Sequence, residues 1–149
     1  MYSINDIAAW FINQEPMSDK KLQKLCYYAV AWGWALLKQP IVNDTAFEAW
    51  VHGPVSPELY REYRSFGWTP IDTPVVPGKE ITNEHQVADL LGSVWETYGD
   101  KSGDELEALT HHEDPWREAR RGLRTTESSH NKISAETMAK FYLSIYAGD

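Results

Sequence analysis

The run His52-Gly53-Pro54-Val55-Ser56-Pro57 is where this chain joins chemistry-bearing side chains to a defined backbone. Its glycine and two prolines make a stiff turn between an extended run and a helix. Backbone geometry alone explains that composition, so one reading is purely architectural. The other is a preorganised binding surface, in which a rigid loop presenting His52, flanked by Trp50, anchors a partner without a large ordering cost. On this second reading Trp50, His52, Gly53 and Pro54 are partner-binding residues, joined by Trp116 at a later helix start. Burial of either tryptophan would make it scaffold instead.

Four potential metal ligands stand together in His111-His112-Glu113-Asp114. Consecutive helical residues point about 100° apart, whereas helical metal sites use spacings of three or four. A polar helix junction is therefore expected there, and no metal or organic cofactor is called for. Cys26 with a distant histidine, or Ser56 near Glu58, is formally a nucleophile arrangement. A reactive cysteine needs an accessible, electropositive setting, but Cys26 falls on the inward stripe of the most apolar segment and is expected in the core. Glu58, Arg61 and Glu62 have the spacing of a solvated helix face. Arg117-Glu118-Ala119-Arg120-Arg121 has the charge pattern of a helix C-terminus. The nine glycines are scattered singly, so no phosphate loop is present.

The elements that must position these residues are arranged around Ser18 to Lys38, the longest segment without a breaker. Ser18 is a helix cap, and Asp19 places negative charge at the positive end of the helix dipole. Leu22, Leu25, Cys26, Ala29, Gly33 and Leu36 draw one apolar stripe. From Tyr27 onward the other faces turn apolar too, which predicts a helix buried among neighbours. Before it, Ser3 caps a helix bearing Ile4, Ile7, Ala8, Phe11 and Ile12, and Pro16 closes it. After it, Gln39-Pro40 stops the central helix. Phe47 to Val51 reads as a strand or extended segment ending in the His52-Gly53-Pro54 turn. Ser56 and Pro57 then open a helix with Leu59, Tyr60, Tyr63 and Phe66 inward.

Gly67 to Gly78 is expected to be an exposed loop whose Trp68, Ile71 and Val75 pack back on the domain. Thr82 or Asn83 would cap a helix through Val87, Leu90, Leu91, Val94, Trp95 and Tyr98, closed by Gly99. Ser102 opens a shorter one through Leu106, Leu109 and Thr110. Asp114-Pro115-Trp116 starts another, reaching about Gly122. Thr125 to Lys132 is polar and expected to be mobile. Ser134 starts a last helix with Met138, Phe141, Tyr142, Ile145 and Tyr146. The expected fold is mainly α: residues 1–149 form a single compact helical domain around the buried central helix, with one short extended segment or small β element.

Composition narrows the function classes. The chain has 149 residues, 42% hydrophobic and 13% aromatic, enough for one domain with a real core. Its formal charge of −8 opposes binding to a phosphate backbone and favours a basic protein partner. No direct nucleic-acid contact is expected. Cys26 is the only cysteine, so no intrachain disulfide forms, which suits a reducing cytosol. The first residues lack a signal-peptide pattern, and no stretch reaches the ~18 apolar residues of a membrane span. A cytoplasmic location away from the membrane is the expectation.

Three blocks carry a family resemblance. They are Lys21-Leu22-Gln23-Lys24-Leu25-Cys26-Tyr27-Tyr28, then Glu48-Ala49-Trp50-Val51-His52-Gly53-Pro54-Val55 with Pro57 and Leu59-Tyr60, then Leu109-Thr110-His111 with Pro115-Trp116. In this order they resemble the signatures of the Panacea-domain family, which includes SocA-type proteolytic adaptors and many phage-associated proteins. The resemblance implies a mostly helical antitoxin that neutralises a cognate toxin by direct binding, in some members by handing it to a cellular protease. Two departures stand out. Cys26 replaces a larger aliphatic residue, and the absence of an appended DNA-binding domain argues against autoregulation. The alternative from the residues alone is a small hydrolase or transferase using His52, His111 or Glu113.

Overall fold

The Ser18 hydroxyl accepts the Lys21 backbone N–H and so starts the central helix, α2 (Asp19–Leu36). In the computed structural model, which describes residues 1–81 and 85–148, this helix is enclosed. Against it pack α1 (Ile4–Ile12), β2 (Gly53–Val55), α3 (Pro57–Tyr63), α4 (His85–Tyr98), α5 (Gly103–His111) and α7 (Ala135–Gly148). Leu22, Leu25, Cys26, Tyr28 and Ala29 are fully buried, in agreement with the apolar circumference of the sequence. The helix stops two residues short of Lys38, which takes a left-handed backbone (φ 61°) and turns the chain toward Pro40. No helix among the described residues is long and apolar enough to cross a membrane.

Helix α1 begins with a reciprocal cap. The Ser3 hydroxyl accepts the Asp6 N–H, and the Asp6 carboxylate accepts the Ser3 N–H. Ser102 and Glu105 repeat the device at the start of α5. Each satisfies two N–H groups that have no partner within the helix. The proposed caps Thr82 and Asn83 of α4 lie outside the described residues.

The extended segment is a hairpin rather than one run. β1 (Glu48–Trp50) pairs antiparallel with β2, Ala49 opposite Pro54 and Trp50 opposite Gly53, and Val51-His52 forms the connection. A proline is tolerated in β2 because the main chain of Ala49 is committed elsewhere: its N–H donates to Asn131 O at 2.8 Å and its carbonyl accepts from Arg120 Nη1 at 2.8 Å.

Four expectations are corrected. Thr125 to Lys132 is tied down: Arg120, buried, donates to the carbonyls of Arg124, Thr125 and Glu127, and Glu48 bridges to Lys132 along the free edge of β1. Trp68 does not pack back; it is 91% exposed at the tip of a turn in which Thr69 N–H donates to Phe66 O, while Ile71 alone of that loop's expected anchors is fully buried, bridged to Met17. Helix α6 (Asp114–Ala119) is capped at Glu113 rather than Asp114 and ends before Gly122. In α7, Met138 and Tyr142 are buried, but Ile145 and Tyr146 are exposed, with Tyr146 keeping an edge contact to Trp32 of α2 at 6.5 Å.

Candidate protein-binding site

Residues from all three sequence blocks converge on the hairpin. From α2, Gln23 acts as a substitute strand: its carboxamide donates to Ser56 O at 3.2 Å and accepts the Ser56 N–H at 2.9 Å. Lys24 lies beneath Gly53, its ammonium donating to Pro54 O at 3.4 Å. Gly53 has φ 105°, and a Cβ there would stand 2.8 Å from Lys24 Cε and 3.1 Å from Thr110 Oγ1. Only glycine fits both the backbone angle and the gap. Lys24 is 2% exposed, and burial pushes its pKa down to about 8 against the pull of nearby Glu107.

The other side of the hairpin rests on the third block. Trp116 Nε1 donates to Trp50 O at 2.8 Å, with His111 stacked on its ring at 4.0 Å and the Arg120 guanidinium 4.9 Å from it. Trp116 is therefore buried and holds the hairpin from below. Gly53 and Pro54 are buried as well, while Trp50 is half-buried and His52 exposed. His52 Nδ1 lies 3.0 Å from Glu107 Oε2, and Glu107 also receives Lys20 at 2.7 Å, with Asp104 taking a second bond from Lys20 at 2.9 Å.

Beside the hairpin is a cleft of about 720 Å³ running between the start of α2, the start of α5 and the turn after α3. Trp50, His52, Tyr60, Arg64, Trp68 and His130 line it, with Asp19 and Lys24 among the residues from α2. The carboxyl of Asp19 is raised to about 6 by burial, partly offset by Lys24, and its Oδ1 has no hydrogen-bond partner among the described residues. Sequence reasoning found Trp50 and His52 but missed Lys24, Tyr60, Arg64 and Trp68. A lysine in the middle of an apolar helix face, two positions from Leu22 and one from Leu25, was the available signal for Lys24.

The residues of the enzymatic alternative are not brought together. Of His52, His111 and Glu113, only His52 lines the cleft. Glu113 turns inward, where Tyr28 and Tyr142 each donate to its Oε1 at 2.8 Å, and Tyr142 also bonds Tyr27 at 3.0 Å. Burial raises the Glu113 pKa to about 7, and the two phenol hydrogen bonds oppose the shift. His112 and Asp114 are exposed, so the four consecutive candidate ligands diverge. Burial pushes the Cys26 thiol far up, which leaves it an apolar core group.

A family model described as "Antitoxin SocA-like, Panacea domain" matches residues 22–117, a span holding Lys24, Gly53 and Trp116. Neither the curated proteins nor the solved structures gave a match. With about two thirds of its length matched, the chain belongs to the SocA-like antitoxin family defined by the Panacea domain.

Proposed function

We propose that this chain is an antitoxin that binds a cognate toxin protein directly and neutralises it, using the hairpin as part of the contact surface. Delivery of the bound toxin to a cellular protease is the extension of the same reading, and the cytoplasm is where both would act. The observation that supports it is the family match over a span whose signature residues meet at one hairpin. A turn fixed from both sides loses little entropy on binding. The acidic charge of −8 would speed encounter with a basic partner. Trp50 and His52 carry the contact, while Gly53, Pro54 and Trp116 hold them in place.

Co-expression with the product of the neighbouring gene, followed by calorimetry, tests this. Rescue of growth and a stable complex are expected. His52→Ala should leave the fold intact, since 72% of that side chain is exposed, and weaken the complex. Absence of both rescue and complex would sink the antitoxin reading; equal affinities would remove only His52 from the surface.

A further inference from the structure

The cleft beside the hairpin has one rigid wall and one unsupported one. Trp50 meets Tyr60 edge to face at 5.0 Å and His130 likewise at 5.3 Å. The Trp50 indole N–H donates to Glu48 Oε1 at 2.9 Å, and His130 Nδ1 lies 3.1 Å from the same oxygen, so Trp50 and His130 are tied to one carboxylate with Tyr60 packed against the indole. Trp68 is 91% exposed on the other wall and touches no ring. An indole held in water beside a concave ring wall has a large apolar face to cover.

The charges around the cleft identify what would cover it. Lys20, Lys24 and Arg64 are balanced by Asp19, Asp104 and the Glu107 that binds Lys20. A phosphate or a cationic side chain would gain from one set and lose to the other, so electrostatics favours a neutral occupant. At the back, the Lys24 ammonium makes a single hydrogen bond among the described residues, of 3.4 Å, leaving donor capacity that a main-chain carbonyl can take up. A flat lipid surface cannot reach into such a recess, and the chain's net charge of −8 opposes nucleic acid.

We propose that this cleft receives one aromatic side chain carried on a loop of the partner protein, seated between Trp50, Tyr60 and Trp68, with an adjoining peptide carbonyl directed at Lys24. The inference rests on the antitoxin reading for the identity of that protein, but the chemistry of the cleft can be tested without it. Aromatic anchors in preformed pockets dominate many protein interfaces, and the volume of about 720 Å³ accommodates such a side chain with its flanking peptide groups.

N-acetyl-L-phenylalaninamide serves as the probe, followed through the seven tryptophan indole N–H resonances of isotopically labelled protein. Its addition should shift Trp50 and Trp68 and spare Trp116. N-acetyl-L-alaninamide should bind at least about tenfold more weakly, since it lacks the ring. Trp68→Ala, at a side chain with almost no contacts to lose, should abolish the shifts at Trp50. Calorimetry with the neighbouring gene's product should then show about tenfold or greater weakening by Trp68→Ala and none by Tyr146→Ala on α7. No indole shift, or equal shifts with both amides, would overturn the cleft chemistry. A complex indifferent to Trp68→Ala would overturn the partner assignment while leaving the antitoxin reading intact, whereas fragment binding with no complex at all would count against the antitoxin reading and, with it, the partner loop.

Discussion

Two buried polar sites sit on the same helix and are built on opposite principles. In the middle of α2, Tyr28 joins Tyr142 in bonding Glu113, Tyr27 closes the chain of hydroxyls, and Tyr28 stacks on Tyr98 at 3.9 Å. The Tyr98 hydroxyl in turn accepts from Trp32 at 2.9 Å. Nearer the start of the helix, Lys24 has one long hydrogen bond and Asp19 Oδ1 has none among the described residues. The first site is closed and its polar atoms answer one another; the second is under-satisfied and lies at the back of a cleft. Buried polar groups normally find partners inside the fold. Unpartnered buried atoms occur elsewhere too, at Asn5 Oδ1 and His111 Nε2, but none belongs to the Glu113 cluster. The polarity near Glu113 therefore orders the core, whereas that near Lys24 both shapes the hairpin and leaves capacity for something outside the chain.

Loss of their common support should damage both sites most. Leu25 is fully buried between them, and Leu25→Ala should cost about 2–5 kcal/mol in denaturant unfolding. A loss under half a kcal/mol would mean that α2 is not what holds the two sites in place.

Titration separates the sites by pH window. Glu113 has a folded pKa of about 7 against 4.5 for a free glutamate, so the folded state holds the proton more tightly. Its stabilising contribution is complete below about 4.5 and is lost as pH rises through about 7, an effect of about 3 kcal/mol. Asp19, raised to about 6, adds in the same direction. Lys24 behaves in the opposite way. Its folded pKa of about 8 lies below the free value of 10.5, so the folded state releases the proton first and stability recovers as pH rises from about 8 toward 10. Stability should pass through a minimum between about pH 7 and 8. Glu113→Gln should flatten most of the acid limb and leave the alkaline limb, as read from unfolding free energies across that range; loss of both limbs together would deny that the sites are independent.

The smallest of the three changes concerns the turn alone. Gly53→Ala forces a side chain into a backbone angle reserved for glycine and against Lys24, at a cost of about 1–3 kcal/mol. The Glu113 part of the acid limb should be untouched, since the Glu113 cluster does not contact the hairpin turn. A thermal scan at pH 5 and pH 9 would register the loss equally at both if the strain is purely steric, and more at pH 5 if it also traps the charged ammonium.

Much of this architecture was legible in the residues. The caps at Ser3, Ser18, Ser56 and Ser102, the proline starts, and the 3.6-residue apolar stripes are local signals, and each helix they announce is present. A mainly α chain around Ser18 to Lys38 follows from them, as does the inert Cys26. The position of Trp50 and His52 on a stiff turn was also readable, because glycine and proline limit the backbone within a few residues.

What the local signals could not settle is which residues far apart in sequence share a partner. Trp68 and Ile71 are equally apolar, yet Ile71 bridges Met17 and Trp68 stands in water. Thr125 to Lys132 is polar enough to be a mobile loop, but one buried guanidinium on Arg120 gathers its carbonyls. Glu113 sits in a polar run of the sequence and Lys24 on an apolar helix face, yet both are buried in the fold, where a distant carbonyl or hydroxyl receives each. The helices were therefore determined by the sequence itself, through hydrogen bonds and periodicity within each segment. The hairpin's two-sided support, the closed Glu113 cluster and the cleft were decided only by tertiary structure, because each is made of groups that meet across tens of residues of chain.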